Sequence, residues 1–246
     1  MNQTIETMNA HRSIRHFKKE TLTDQQKDII IHAAQMAPSS SNIQPYSIIG
    51  LTDPERKKQL AVKSENPAIA ESGYCFIFCL DLHRLLSGAT EEEQKKIAKN
   101  LSFHFFYQAA VISASLALQN ASLAAESLGL GSVIMAGINR TIPELEQWLE
   151  LPQLVIPLVG LAVGVPAEDP GRKPRLPQAA VFFEDRYQDA SKQIEEYDQE
   201  IEVYYAKRLG DSRKISWTEK NKKILTLDLP LEFYTQYVHS KGLGLH

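Results

Sequence analysis

The sequence predicts an α/β or α+β protein built around one main sheet. Two observations carry that prediction. Short apolar runs with strand character interleave with longer segments of helical periodicity, and the pattern continues without a linker, a repeat or a low-complexity tract. The chain is also long and apolar enough for a single substantial core, with 246 residues of which 43% are hydrophobic and 23% charged. A net charge of −3 and this balance exclude a disordered chain, a collagen-like fibre and a disulfide scaffold.

Taken in order, residues 2–9 read as a short helix. Thr23-Asp24-Gln25-Gln26 opens a stronger one running to about Met36, where Ile29, Ile30, Ala33, Ala34 and Ala37 share a face and Pro38 ends it. The polar loop Ser39-Ser40-Ser41-Asn42 leads into a strand at 47–51, and Thr52-Asp53-Pro54-Glu55 marks a turn and a helix start. Residues 75–82 form the next strand. From about Glu91 to Leu128 the pattern predicts one long helix, whose second half, 109–118, is apolar nearly all round and rich in small residues. Such a helix is either central in the core of a monomer or covered by another subunit, and we read it as a homodimer interface. Gly129-Leu130-Gly131 stops it and feeds a strand at 132–135, followed by a short helix near 143–149 and a strand at 155–163. After Tyr187 the chain turns strongly polar, and its helices are expected to wrap the body.

The apolar stretches 75–82 and 154–165 are shorter than the ~18–20 residues a spanning helix needs, so no membrane association is expected. The N-terminus has neither a basic n-region nor an apolar h-region. On one strand Cys75 and Cys79 point to the same face about 13 Å apart at the usual rise, too far for a disulfide. They are expected to be buried thiols in a reducing cytoplasm, and without a nearby His pair they make no zinc site.

The near-even charge hides clusters. His11-Arg12-Ser13-Ile14-Arg15-His16-Phe17-Lys18-Lys19 carries four permanent cations and no acid, and Arg172-Lys173-Pro174-Arg175 carries three. Residues 184–202 are acidic, net −6, and 207–223 basic, net +5. Charge blocks commonly mark solvated faces. In the first cluster, however, Ser13 places a hydroxyl between two guanidiniums, a combination that cradles phosphate oxygens. A small phosphorylated ligand suits it better than nucleic acid, which needs a continuous basic surface with interleaved aromatics. The chain carries no P-loop, nucleophile elbow or strand-to-helix dinucleotide fingerprint.

Four motifs in register narrow the reading. They are His11–Phe17 as quoted, Ser39-Ser40-Ser41 with Gln44, Ala125-Glu126-Ser127-Leu128-Gly129-Leu130-Gly131, and Lys173-Pro174-Arg175-Leu176-Pro177. Together they resemble the nitroreductase family, in its branch of NADPH-dependent, FMN-containing nitro- and flavin reductases with a long C-terminal extension. The resemblance implies an α+β homodimer with a central mixed sheet flanked by helices and FMN at the subunit interface. Residues 1–187 would be the FMN-binding core. Residues 188–246 would be an extension that wraps the dimer and contributes to NADPH binding.

By the same resemblance His11, Arg12, Ser13, Arg15, Lys173 and Arg175 would hold the FMN phosphate and the polar side of the ring. Ser39, Ser40 and Ser41 would come from the partner subunit. Ile134, Met135, Ala136 and Gly137 would line the ring, and Asn66 would meet its pyrimidine edge. Relatives commonly carry Gln at Asn66 and two glycines at Ala136-Gly137. Arg208 and Arg213 fall where this branch binds the 2′-phosphate of NADPH. The implied activity is ping-pong hydride transfer from NADPH to nitroaromatics, quinones, free flavin or oxygen. The cofactor would carry the chemistry, so no side chain need act as acid or base. A flavin carrier or redox sensor without turnover would use the same phosphate clusters.

Overall fold

A computed structural model describes residues 2–208 and 215–246. In chain order the helices and strands are α1 (Gln3–Asn9), α2 (Asp24–Gln35), β1 (Tyr46–Leu51), α3 (Pro54–Lys63), α4 (Ala68–Glu71), β2 (Tyr74–Asp81), α5 (Glu91–Leu101), α6 (His104–Ser127), β3 (Gly131–Met135), α7 (Ile142–Leu149), β4 (Val155–Gly164), α8 (Ser191–Lys207), α9 (Trp217–Leu225) and α10 (Glu232–Ser240). The chain forms two compact units. One is Met1–Pro170 with Glu232–His246, the other Gly171–Leu231.

The strands of the larger unit form one sheet in the order β1-β2-β4-β3, and every named pair is antiparallel. Its parallel element is the bridge between Ser13 and Ser132. Alternation along β2 divides the core. Cys75, Ile77 and Cys79 face Leu60, Ile69, Ile138 and Leu145 from α3, α4 and the α7 region. Phe76 and Phe78 face Ile30 and Ala34 of α2 and Ala114, Ala117, Ala121 and Ala125 of α6. With both faces covered, β2 reads as an unbroken apolar run. The two thiols share one face as expected, and burial pushes both up to about 12.

Local chemistry explains the helix starts. Thr23 and Gln26 close a reciprocal capping box on α2, Thr90 and Glu93 do so on α5, and Asp53 accepts from the first turn of α3 with Pro54 at its start. The single helix expected over 91–128 is instead two, meeting at 81° across Ser102-Phe103. Neither proline nor glycine makes the break. The N–H of Leu245 donates to the Ser102 carbonyl and the N–H of His104 donates to the His246 carbonyl, so distant chain satisfies groups that a continuous helix would pair internally.

The small residues of α6 lie against the sheet, while Phe105, Ile112 and Leu116 on its other face are 71%, 50% and 39% exposed. One face of this helix is therefore core and the other is open. Not all of the polar C-terminal region lies outside the core. Val238 of α10 and Leu243 pack with Leu80, Leu82, Leu101, Ala110 and Ile156. Lys241, its side chain only 6% exposed, donates to both oxygens of Glu146 (3.0 and 3.2 Å) and to the Leu151 carbonyl (3.0 Å), and the Tyr237 hydroxyl donates to Glu146 at 2.6 Å.

In the smaller unit α8 and α9 pack through Tyr197, Ile201, Tyr205 and Trp217. Among the described residues no single helix is long and apolar enough to cross a membrane.

Candidate active site

The segment after α1 is stitched to the sheet margin by its backbone. Ile14 N–H donates to the Ser132 carbonyl (2.9 Å), Lys18 N–H to Val165 (2.9 Å), and Ala167 N–H to His16 (3.0 Å). Ile14 and Phe17 are buried anchors, and the residues between and before them are left toward the surface. This is how an apolar pair inside a basic run presents the cations outward.

Acids absent from the run itself meet it from after β4. Asp169 accepts from Arg12 Nε at 2.7 Å, and Glu168 Oε1 accepts the backbone N–H groups of Arg15 (2.7 Å) and His16 (3.1 Å). The Arg15 guanidinium has only a 3.4 Å bond to the Ser13 carbonyl among the described residues, so its fork is the cation best placed to take an anion. His11 Nδ1 lies 2.6 Å from Glu126 Oε1 on α6.

The serine loop is a tight, strained turn. Ser41, Asn42 and Gln44 have φ of 49°, 56° and 45°, and Ser39 Oγ accepts the Gln44 N–H at 2.8 Å. Left-handed non-glycine residues cost energy and concentrate at functional positions. Ser39 and Ser40 border a hollow of about 480 Å³ whose other wall is the open face of α6, with Phe105, Ile112 and Leu116.

At the end of β3 the structure brings together residues far apart in sequence. Ile134 is exposed, whereas Met135 is buried in the core. Ala136 is exposed and begins a 3₁₀ segment, Ala136–Thr141. A Cβ on Gly137 would lie 2.5 Å from Asn66 Nδ2 and 3.0 Å from the Ser64 carbonyl, so a larger residue would have to displace the Asn66 amide. Asn66 Nδ2 donates to that same carbonyl at 2.6 Å. The Oδ1 of Asn139, on the same 3₁₀ segment, is buried and has no hydrogen-bond partner among the described residues.

In the smaller unit Lys173 and Arg175 are exposed. Lys173 Nζ lies 5.2 Å from the centre of the Tyr205 ring, and Arg175 Nη1 donates to the Lys173 carbonyl at 2.8 Å. Burial raises the Tyr205 phenol, but the hydrogen bond and charge of Lys173, with Lys220 and Arg208, outweigh it and bring the phenol below its ordinary value. Two basic clusters distant in sequence thus meet at one phenol. Arg208 ends α8, and Arg213 lies outside the described residues. Sequence reasoning missed Tyr205, Glu168, Asp169 and the pairing of Glu126 with His11. Only Glu126 stood inside a recognised motif.

The residues present fit a phosphorylated flavin. An exposed guanidinium held at the Ser13 backbone suits its phosphate, and the tight Asn66–Gly137 contact, with the unsatisfied Asn139 amide oxygen on the same 3₁₀ segment, suits a polar ring edge.

Comparison with known proteins identifies relatives along the whole chain. Residues 8–165 match the nitroreductase family and residues 173–246 match its C-terminal domain. The FMN reductase (NADPH) of Bacillus subtilis is 40% identical with 99% of each chain covered, and the oxygen-insensitive NADPH nitroreductase of Salmonella typhimurium is 36% identical with 98% of each covered. The solved NfrA1 nitroreductase from B. subtilis superposes with a TM-score of 0.93 at 38% identity, covering 99% of this chain and all of that one. The NADPH:FMN oxidoreductase of Vibrio harveyi, solved in complex with NAD+, gives 0.87 at 31% identity with both chains fully covered. Matched along nearly its whole length in sequence and in fold, the chain belongs to the nitroreductase family.

Proposed function

We propose that the protein is an FMN-dependent oxidoreductase that takes reducing equivalents from NADPH and passes them to nitroaromatics, quinones, free flavin or oxygen in ping-pong order, as a cytoplasmic homodimer. The observation that carries the reading is the full-length likeness to relatives named for FMN and NADPH. When bound, FMN supplies a ring whose N5 accepts hydride and releases it to a second substrate.

The protein's own part is binding, orientation and field. Arg12, Ser13 and Arg15, with His11, hold the phosphate, and Lys173 and Arg175 are assigned the same ligand. The guanidinium of Arg15, on a segment bridged to the sheet margin at Ser13 and Phe17, offers the anion a fixed charge. Asn66 and the backbone of Ile134 to Gly137 orient the ring, and the tight Gly137 contact keeps that backbone in one place. Arg208 and Arg213 hold the 2′-phosphate of NADPH. Residues 188–246 form the extension that supplies them.

The open face of α6 supports the dimer. Phe105, Ile112 and Leu116 fall at helical spacing, and covering the part of each still exposed would gain a corresponding share of the about 1.5–3 kcal/mol that full burial of such a side chain gives. Their hollow is also bordered by Ser39 and Ser40, which supports the reading that the serine loop meets the partner subunit.

The test is optical. Purified protein supplied with FMN should show bound-flavin absorbance, bleach anaerobically with NADPH, and recover on adding a nitroaromatic or quinone. Initial rates should give parallel double-reciprocal lines. No flavin uptake would refute the reading. Uptake without bleaching would leave a flavin carrier or sensor.

A further inference from the structure

We infer that Glu126 is a positioning residue for His11, fixing the Nδ1–H tautomer of its ring and so leaving Nε2 to meet the phosphate of the flavin cofactor. The inference rests on the FMN reading above. It comes from a chain of polar groups running inward from the basic segment. His11 Nδ1 is 2.6 Å from Glu126 Oε1, Ser132 Oγ donates to the same oxygen at 3.2 Å, and Ser132 Oγ is 2.8 Å from Ser122 Oγ. The two serines are fully buried, and the Glu126 side chain is 14% exposed against 35% for His11.

Hydrogen counting gives this chain a direction. An ionised carboxylate only accepts. Ser132 spends its single hydrogen on Glu126, so Ser122 must donate to Ser132. His11 must then bring a hydrogen on Nδ1, because an unprotonated nitrogen facing a carboxylate oxygen at 2.6 Å would be repelled. A neutral ring with hydrogen on Nδ1 has its lone pair on Nε2.

That nitrogen suits a phosphate in either protonation state. A neutral ring accepts from a protonated phosphate oxygen, and a protonated ring donates to an ionised one. One proton lies between the two atoms in both cases, and the carboxylate behind Nδ1 offsets the positive charge of the second. Backbone geometry holds the chain in place, since the Ile14 N–H bonds the carbonyl of the same Ser132 whose hydroxyl bonds Glu126. α6, which carries Ser122 and Glu126 toward the sheet and Phe105, Ile112 and Leu116 outward, is thereby tied to the ring that grips the cofactor.

The test reads the tautomer directly. Long-range ¹H–¹⁵N correlation spectra of the cofactor-free protein, with His11 assigned through His11→Asn, should show the Nδ1–H form in wild type and its loss in Glu126→Ala. FMN titrated by fluorescence quenching should bind Glu126→Ala at least about tenfold more weakly. Glu126→Gln, whose carbonyl still accepts from Nδ1–H, should recover most of that loss. Glu126→Ala should also have little further effect in a His11→Asn background. A wild-type ring in the Nε2–H form would overturn the inference, and so would an FMN affinity within twofold of wild type in Glu126→Ala. The first measurement reads the wild-type ring and does not depend on Glu126→Ala folding. If wild type takes up no FMN, it is the functional reading that fails, whatever the tautomer.

Discussion

The pair Lys241–Glu146 allows the sharpest test of how the end of the chain is held. Lys241 is almost wholly buried and has three bonds, two of them to Glu146, whose side chain is 29% exposed and also accepts from Tyr237. Removing the acid in Glu146→Leu leaves an ammonium in the core with only the Leu151 carbonyl, and removing one partner of a buried pair costs about 3–5 kcal/mol. Lys241→Met leaves a carboxylate that still reaches water and keeps the Tyr237 hydroxyl, so its cost falls lower, about 2–3 kcal/mol. In the double variant no charge is stranded, and the remaining loss is that of the partners of the Tyr237 hydroxyl and the Leu151 carbonyl, about 1–2 kcal/mol. For a chain of this length each kcal/mol shifts Tm by about 2–4 °C. The three variants, melted by circular dichroism at one protein concentration, should therefore rank with Glu146→Leu lowest, Lys241→Met next and the double variant nearest wild type. Single variants within 2 °C of wild type, or a double variant whose loss equals the sum of the singles, would refute the reasoning.

Cys75 and Cys79, raised to about 12 by burial, should resist a thiol reagent at pH 8 until the protein unfolds, because only roughly one in 10⁴ is then a thiolate. Their folded values exceed the ordinary 9.0, so the stability they contribute is complete below about pH 9 and is lost as pH rises toward 12; a pH series of urea midpoints should fall over that window. Gly137→Ala drives a Cβ to 2.5 Å from Asn66 Nδ2, and at about 1–3 kcal/mol of overpacking FMN affinity should drop roughly five- to hundredfold by fluorescence titration. Ile112→Asp puts a charge on the open face of α6 and should shift sedimentation from dimer to monomer while leaving the monomer folded.

Elements whose cause is local were legible in the sequence. Thr23, Asp53 and Thr90 cap helices by bonds that span three residues or fewer, and the alternation of β2 follows from its two covered faces. Features with a distant cause were not. The break at Ser102-Phe103 has no local signature because residues 245 and 246 hold it. The expected location of basic clusters was readable from composition, but not that Asp169 answers Arg12 across 157 positions, nor that Glu126 answers His11 across 115. Tyr205 carried no motif at all. Its significance lies in the cations that folding gathers around it.

The larger unit is discontinuous, and that has a consequence for synthesis on the ribosome. Residues 1–170 emerge first but lack Val238, Leu243 and Lys241, whose places in the interior stay open while Gly171–Leu231 is made. At about 5–20 residues per second, that interval lasts on the order of several seconds. During it the α5–α6 corner, Leu80, Leu101 and Ile156 are uncovered, and Glu146 has no cation. The nascent chain is therefore most exposed to chaperones and proteases after most of its fold has been translated, and a stall within 171–231 should be more damaging than one near residue 90.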